Sequence, residues 1–357
     1  MRELNSKTAP KTVRPERIIQ FGEGNFLRAF VDWIISNMNE RSDFNGSVVV
    51  VQPIEKGMVD VLNRQDGLYH VNLQGLENGQ VVNTYRLIDV ISRALNPYSH
   101  FDEYMKLAEQ PEIRFVVSNT TEAGIAFDPA CRLDDRPAVS YPGKLTQLLY
   151  HRFRHFYGDK SKGLIIFPCE LIFQNGHHLK RIIRQYIDLW QLGGDFTAWF
   201  EGACGVYATL VDRIVPGFPR KHIEEIQEKL QYKDQLVVQG EAFHLWVIEA
   251  PESVAQEFPA AECGLNVRFV PDEEPYHRRK VTLLNGPHTL LSPVAYLSGV
   301  DIVREACQDP DVGRYIRKVM FDELIETIDL PREELRTFAD SVMAVSYTHL
   351  RAHETEL

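Results

Sequence analysis

The sequence is poor in cysteine and has no cysteine pattern. Its five cysteines, Cys131, Cys169, Cys204, Cys263 and Cys307, are scattered over 357 residues and odd in number. None forms a CxxC pair, so neither a disulfide framework nor a zinc ribbon is indicated, and free thiols in a reducing compartment are expected. No apolar run is long enough to span a membrane. The first residues, Met1-Arg2-Glu3-Leu4-Asn5-Ser6-Lys7, are polar and lack the apolar core of a secretory signal. A cytoplasmic location without membrane contact is expected. Basic residues are outnumbered, 39 Lys and Arg against 50 Asp and Glu, for a net charge of −11. That balance disfavours nucleic acid as a partner, and an anionic substrate would need its own local cations. His151 and His155 stand four apart with no acid or cysteine partner nearby in sequence, so no metal site is expected. There is no internal repeat.

What is present is a globular composition, 44% hydrophobic and 25% charged, in a chain long enough for two domains. Arg17–Phe21 is an apolar run that stops at Gly22-Glu23-Gly24-Asn25. Phe26, Leu27, Phe30, Val31, Ile34 and Ile35 then fall on one helical face. Ser47–Gln52 is a continuous β-branched run, suited to a strand buried on both faces. Further strands are predicted at 82–91, 113–118 and 163–167, with helices at 99–109 and 143–157. Strands alternating with helices predict an α/β, Rossmann-like doubly wound domain over residues 1–200. Helical patterns at 178–192, 221–231, 286–308 and 311–328 predict a mainly α-helical second domain over 201–344. The segment 265–270 reads as a strand returning to the first sheet. Residues 345–357 do not continue the helical pattern that ends near Val342 and read as a non-native tail.

Three segments carry chemistry. A strand that ends in Gly22-x-Gly24 and opens a helix brings backbone N–H groups against a pyrophosphate. The third glycine of that fingerprint is absent, since Leu27 stands there, and Gln52 replaces the acid expected at the end of the second strand. Gln52 can still bond a ribose hydroxyl, and no arginine directly follows it to hold a 2′-phosphate, which favours NAD over NADP. A plain glycine turn before a helix stays open as the alternative. Second, Ser118-Asn119-Thr120-Thr121-Glu122-Ala123-Gly124 lies at the carboxyl end of a predicted strand, where open α/β sheets bind ligands; a capped connection is the alternative. The nucleotide-binding candidates are Ile19, Gln20, Phe21, Gly22, Glu23, Gly24, Asn25, Phe26, Arg28, Gln52, Thr121 and Glu122.

Third, Lys280, Asn285 and His288 share one short segment. Gly286 and Pro287 predict a helix start there, with Asn285 as N-cap and His288 in the first turn. Positive potential from the helix end, Arg278 and Arg279 would help Lys280 release its proton and serve as a general acid or base. A lysine, an amide and an imidazole around one oxygen suit hydride transfer, which must stabilise an alkoxide. A solvated basic run before an ordinary cap stays open on spacing alone. Asp212-Arg213, set in the apolar Thr209–Pro216, is either a structural pair or part of the site.

Together, over residues 17–342, these motifs resemble the long-chain mannitol dehydrogenase family of polyol and sugar-acid reductases. The resemblance rests on Gly-x-Gly-Asn-Phe-x-Arg at 22–28, Gln65-Asp66-Gly67-Leu68-Tyr69, Thr121–Gly124, Leu210–Pro216 and the Lys280/Asn285/His288 array. It implies NAD-linked hydride transfer, with Lys280 as acid/base, Asn285 as oxyanion donor, His288 positioning substrate and Asp212 lining a proton path. Ser118–Ile125, Pro168–Ile172, Phe243–Glu249 and Lys280–His288 resemble the branch of the family that acts on uronates. The alternatives are another uronate, a polyol, or a dinucleotide-binding protein without catalysis. Where polyol-oxidising members carry a second oxyanion asparagine, Leu171 stands here, and Asn175 is the candidate substitute. The chain is also shorter than the family, so substrate contacts expected from the final helical part are unassigned. Oligomeric state is open, as monomer or weak dimer.

Overall fold

The computed structural model describes residues 1–77 and 80–348. The segment 349–357, most of the tail set apart above, lies outside the described residues. The chain divides into two compact units. The first comprises Met1–Asn72, Tyr85–Gly240 and His244–Pro271; the second comprises Leu73–Thr84, Glu241–Phe243 and Asp272–Leu357.

The first unit is built on six parallel strands: β1 (Glu16–Phe21), β2 (Ser47–Val51), β3 (Ile91–Leu95), β4 (Phe115–Ser118), β5 (Ile165–Pro168) and β6 (Gly205–Val206). Their order in the sheet is β3-β2-β1-β4-β5-β6. Every residue of β2 is buried, as a β-branched run between two helical layers must be. Helices α1 (Asn25–Ala29) and α2 (Val31–Arg41) follow β1 directly. Helix α3 (Tyr141–His155) follows β4 and starts where Ser140 Oγ accepts the N–H of Gly143, with Pro142 in the first turn. Helix α4 (Asn175–Leu189) follows β5. One core joins the inner faces of α3 and α4 to Ile19, Phe21, Val49, Val51, Val116 and Ile166 of the sheet.

Three further strands, β7 (Thr209–Asp212), β8 (Leu245–Glu249) and β9 (Val267–Val270), form a second sheet in the order β7-β8-β9. The strand expected at 265–270 is therefore present in the first unit but pairs with β8, not with the six-stranded sheet. The boundary expected at residue 200 is displaced for the same reason. Residues 201–271 supply β6 to the first sheet and build the second, so all but Glu241–Phe243 stay with the first unit as far as Pro271. Sequence periodicity registered the one long amphipathic stretch there, Ile223–Leu230, and passed over short strands.

The second unit is helical from residue 272. Helix α5 (Glu274–Lys280) runs through a π-helical segment, Val281–Asn285, into α6 (Gly286–Leu297). Helix α7 (Arg332–Thr348) continues past Val342, where the periodic pattern was expected to end. Its core gathers Leu283, Leu291, Ala295, Ile316, Met320, Leu335 and Ala339. All five cysteines are buried and free of disulfides. No helix among the described residues is long and apolar enough to cross a membrane.

Candidate active site

The strand order reverses between β1 and β4, and the connections after these two strands meet at the carboxyl edge. Gly22 has φ +122, and a Cβ there would lie 2.9 Å from the carbonyl oxygen of Asn119. Only glycine lets the turn after β1 approach the turn after β4 this closely. Gly24 is different: a Cβ there would meet nothing within 4 Å, so the turn opens outward at that point. Gly24 caps α1 without a side-chain bond, and the first-turn N–H groups have no acceptor within their helix. Thr121, across the reversal, is exposed and held at φ +107, a conformation that β-branched residues rarely adopt. The turn and the Thr120–Thr121 segment thus frame the crevice where open α/β sheets bind nucleotides.

The second turn is held from below by a residue that sequence reading did not single out. The carboxylate of Glu170, at the end of β5, accepts Ser118 Oγ (3.0 Å), the Thr120 N–H (2.9 Å) and Thr120 Oγ1 (3.0 Å). Burial raises the carboxyl pKa of Glu170. Asn119 Nδ2 donates to the carbonyl of Cys169 at 2.7 Å. A charged residue at a strand end inside the apolar run 164–172 was the available signal.

The glycine turn is braced by the Gln65–Tyr69 segment. Gly67, at φ +73, has no room for a Cβ, which would stand 2.4 Å from the carbonyl of Ile91. This turn delivers Tyr69 beneath α1, where Arg28 lies over its ring at 5.2 Å. Gln65 and His70 both bond the buried Asp234. Asp32, also fully buried, accepts from Tyr69 and sits against Gln20; burial pushes its carboxyl up to about 7.

Several sequence candidates have other duties. Ile19 and Phe21 are core side chains, and the Gln20 amide donates inward, to the carbonyl of Gly22. Arg28 is buried: it donates to the carbonyls of Glu23 and Leu236 and to Asn25 Oδ1, so it shapes the turn from behind. Phe26 stacks on Phe30 at 5.0 Å. Gln52 is likewise corrected. Its Nε2 donates to Ile54 O (2.8 Å) and Glu55 O (2.9 Å), and its Oε1 accepts the N–H of Val59 (3.4 Å), so no amide hydrogen is left for a ribose. Glu23 and Asn25 stay at the turn, Glu23 buried and Asn25 exposed. Glu122 opens a short 3₁₀ turn, Glu122–Gly124.

Asn175, the expected substitute oxyanion donor, is also corrected. Its Nδ2 bonds the carbonyls of Pro168, Glu170 and Thr209 at 2.9–3.0 Å, and its Oδ1 accepts the Thr209 N–H at 2.8 Å. The amide is consumed in joining β5, α4 and β7. Asp212 closes β7, half-buried, while Arg213 turns inward to the carbonyl of Ala29 and lies over Trp33 at 4.3 Å.

In the second unit an α-helix starts at Gly286 as expected, but it continues from α5 through the π segment and is not capped by the Asn285 side chain. Asn285 has helical φ/ψ and makes no cap bond, and Lys280 ends α5 with the helix continuing beyond it. The reason is Pro287, which lacks an N–H and would clash with the carbonyl four residues back. The chain widens into a π segment just before it, where the N–H of Gly286 reaches the carbonyl of Val281, five residues back. This has a geometric consequence. In a π turn residue i+5 takes the place above residue i that i+4 takes in an α-helix. Lys280 and Asn285 are related by five across the π segment, and Asn285 and His288 by three in the α-helix that follows. All three therefore project from one face, which an unbroken α-helix would not allow at this spacing.

The run Arg278-Arg279-Lys280 is not uniformly solvated. Arg278 is exposed and pairs with Glu274 at 2.9 Å. Arg279 is buried, pairs with Glu334 and lies over Phe338 at 4.5 Å, anchoring α5 to α7. Lys280 and His288 are half-buried and Asn285 is exposed. Burial lowers the pKa of His288, which keeps its imidazole neutral at neutral pH. Burial, with the charge of Lys280, lowers that of His277.

Residues 16–261 match the family model of the mannitol dehydrogenase Rossmann domain, and residues 272–345 match that of the mannitol dehydrogenase C-terminal domain. The chain belongs to the mannitol dehydrogenase family. The second match begins at Asp272, where the second unit takes over the rest of the chain. Within the family, the chain is 78% identical over 343 residues to an altronate oxidoreductase of Phocaeicola vulgatus, covering 96% of this chain and 72% of that protein. Two solved structures share the fold at 20% identity. Substrate-free D-sorbitol dehydrogenase superposes with a TM-score of 0.81, over 97% of this chain and 75% of that one. Mannitol 2-dehydrogenase of Pseudomonas fluorescens, in a ternary complex with NAD and D-mannitol, superposes with a TM-score of 0.74, over 97% and 74%.

Proposed function

We propose that this protein is an NAD-dependent oxidoreductase that interconverts D-tagaturonate and D-altronate. The observation that carries the substrate is the 78% identity, over 96% of the chain, to a protein named altronate oxidoreductase. The cofactor reading draws on the glycine turn. A Gly22 with no room for a Cβ, an open Gly24 and first-turn N–H groups without helical acceptors fit a pyrophosphate. It also draws on a family structure that binds NAD. The five unpaired thiols accord with a cytoplasmic enzyme.

When bound, NADH supplies the hydride that reduces the keto carbon. The protein's own part is to hold the substrate oxygen and deliver its proton. Lys280 carries that proton, and the exposed amide of Asn285, on the same helix face, donates a hydrogen bond to the same oxygen. His288, neutral at working pH, fixes a neighbouring hydroxyl. Asp212, at the end of β7, lines the proton path that the family resemblance implies. In altronate oxidation the same groups act in reverse.

The test is a parallel assay of NADH oxidation with D-tagaturonate, D-fructuronate and D-fructose. Preference for tagaturonate by at least ~10-fold in kcat/KM is expected. Faster turnover of fructuronate or fructose would reassign the substrate, and no turnover of any would reduce the protein to a nucleotide binder.

A further inference from the structure

Resting on the cofactor reading above, we infer that Glu23, and not the residue at the end of the second strand, selects NAD(H) over its 2′-phosphorylated form. In a sheet of this order the adenosine ribose is read by an acid at the end of the second strand. Here that position is Gln52, whose two amide hydrogens are spent on Ile54 and Glu55. A carboxylate nevertheless stands beside it. A Cβ on Gly57 would lie 2.1 Å from Glu23 Oε1 and 2.5 Å from Gln52 Cδ and Oε1, so the ends of these two side chains lie side by side over Gly57. Glycine at 57 is the space that lets them do so.

Glu23 comes from the glycine turn after β1 and reaches toward the 52–58 loop after β2, where its carboxylate meets the N–H of Met58. A carboxylate has about four acceptor sites, and backbone bonds of this kind leave capacity for a ribose hydroxyl. Burial raises the Glu23 carboxyl above its ordinary value, while backbone N–H groups and Arg28 favour the charged form, and that charge opposes a 2′-phosphate. Lys56, exposed in the same loop, works in the other direction. The structure therefore moves the discriminating carboxylate from strand end to glycine turn, which explains how Gln52 is tolerated in an NAD enzyme.

The experiment is a titration of the protein with NADH and with NADPH, read by tryptophan fluorescence quenching, for the wild type, Glu23→Gln and Glu23→Ala. Circular dichroism checks folding of each. The wild type is expected to bind NADH at least ~10-fold more tightly than NADPH, and both variants to bring the ratio within about threefold, with NADPH binding gained. Lys56→Ala is expected to widen the wild-type ratio. Two folded variants that keep the wild-type ratio would overturn the inference, as would a ratio that collapses in Lys56→Ala with Glu23 intact. A folded wild type that binds neither nucleotide would instead overturn the cofactor reading itself, and the inference with it.

Discussion

The hydroxyl of Tyr69 lies 2.9 Å from Oδ2 of Asp32, inside the first unit and directly behind the glycine turn. It also lies 2.8 Å from the carbonyl oxygen of Arg28, so its one hydrogen ties the end of the Gln65–Tyr69 segment to the helices that follow β1. Two motifs distant in sequence are parts of one support. Tyr69→Phe keeps the ring under Arg28 and removes only the hydroxyl. It is expected to lower stability by about 1–2 kcal/mol, the usual cost of a buried polar group left unpaired. Urea unfolding checks this: the midpoint falls and the slope does not change.

Asp32 makes stability depend on pH in a predictable direction. Burial raises its folded pKa from 3.8 to about 7. Between those values the folded protein holds a proton that the unfolded chain has released. Raising pH through this window therefore favours unfolding, and the contribution is complete below about pH 4 and lost above about pH 7. Asp32→Asn cannot titrate. Unfolding free energies at intervals from pH 5 to pH 8 are expected to fall less steeply in the variant than in the wild type, by up to one proton's worth of slope. Parallel curves would contradict the assignment.

Asn175 is a staple, and its loss is expected to be structural. Asn175→Ala leaves the carbonyl and the N–H of Thr209 without their side-chain partner, while the carbonyl of Pro168 keeps the Thr209 hydroxyl. At roughly 1–3 kcal/mol for each buried group stranded, a cost of at least ~2 kcal/mol is expected. In the fraction that remains folded, kcat is expected to stay within about threefold of wild type, because no reacting atom has lost a donor. A stable, folded variant with kcat lowered by ~100-fold would restore Asn175 as an oxyanion donor.

Much of the first unit was legible from local pattern. The apolar run into Gly22-Glu23-Gly24 and the β-branched Ser47–Val51 each report a buried parallel strand through composition alone. What pattern could not reach was tertiary. Gln52 and Arg28 read as ligand residues by position in the chain, yet Arg28 donates to the carbonyl of Leu236, which only folding brings near, and Gln52 turns back onto its own loop at Ile54 and Glu55. The same holds for Asn175. The strands of 201–271 are short and partnered across long sequence distances, so periodicity had little to register. Asn285-Gly286-Pro287 carried every local sign of a helix start, and the chain absorbed the proline with a π segment instead. The π segment is what aligns Lys280, Asn285 and His288.

The central claim is that Lys280 delivers the proton in a reaction driven by bound NADH. The most direct test is Lys280→Ala, measured both for NADH binding by fluorescence and for single-turnover reduction of D-tagaturonate. NADH affinity within about threefold of wild type, with turnover lowered by at least ~1,000-fold, is the predicted result. Turnover within ~10-fold of wild type at unchanged NADH affinity would contradict the account.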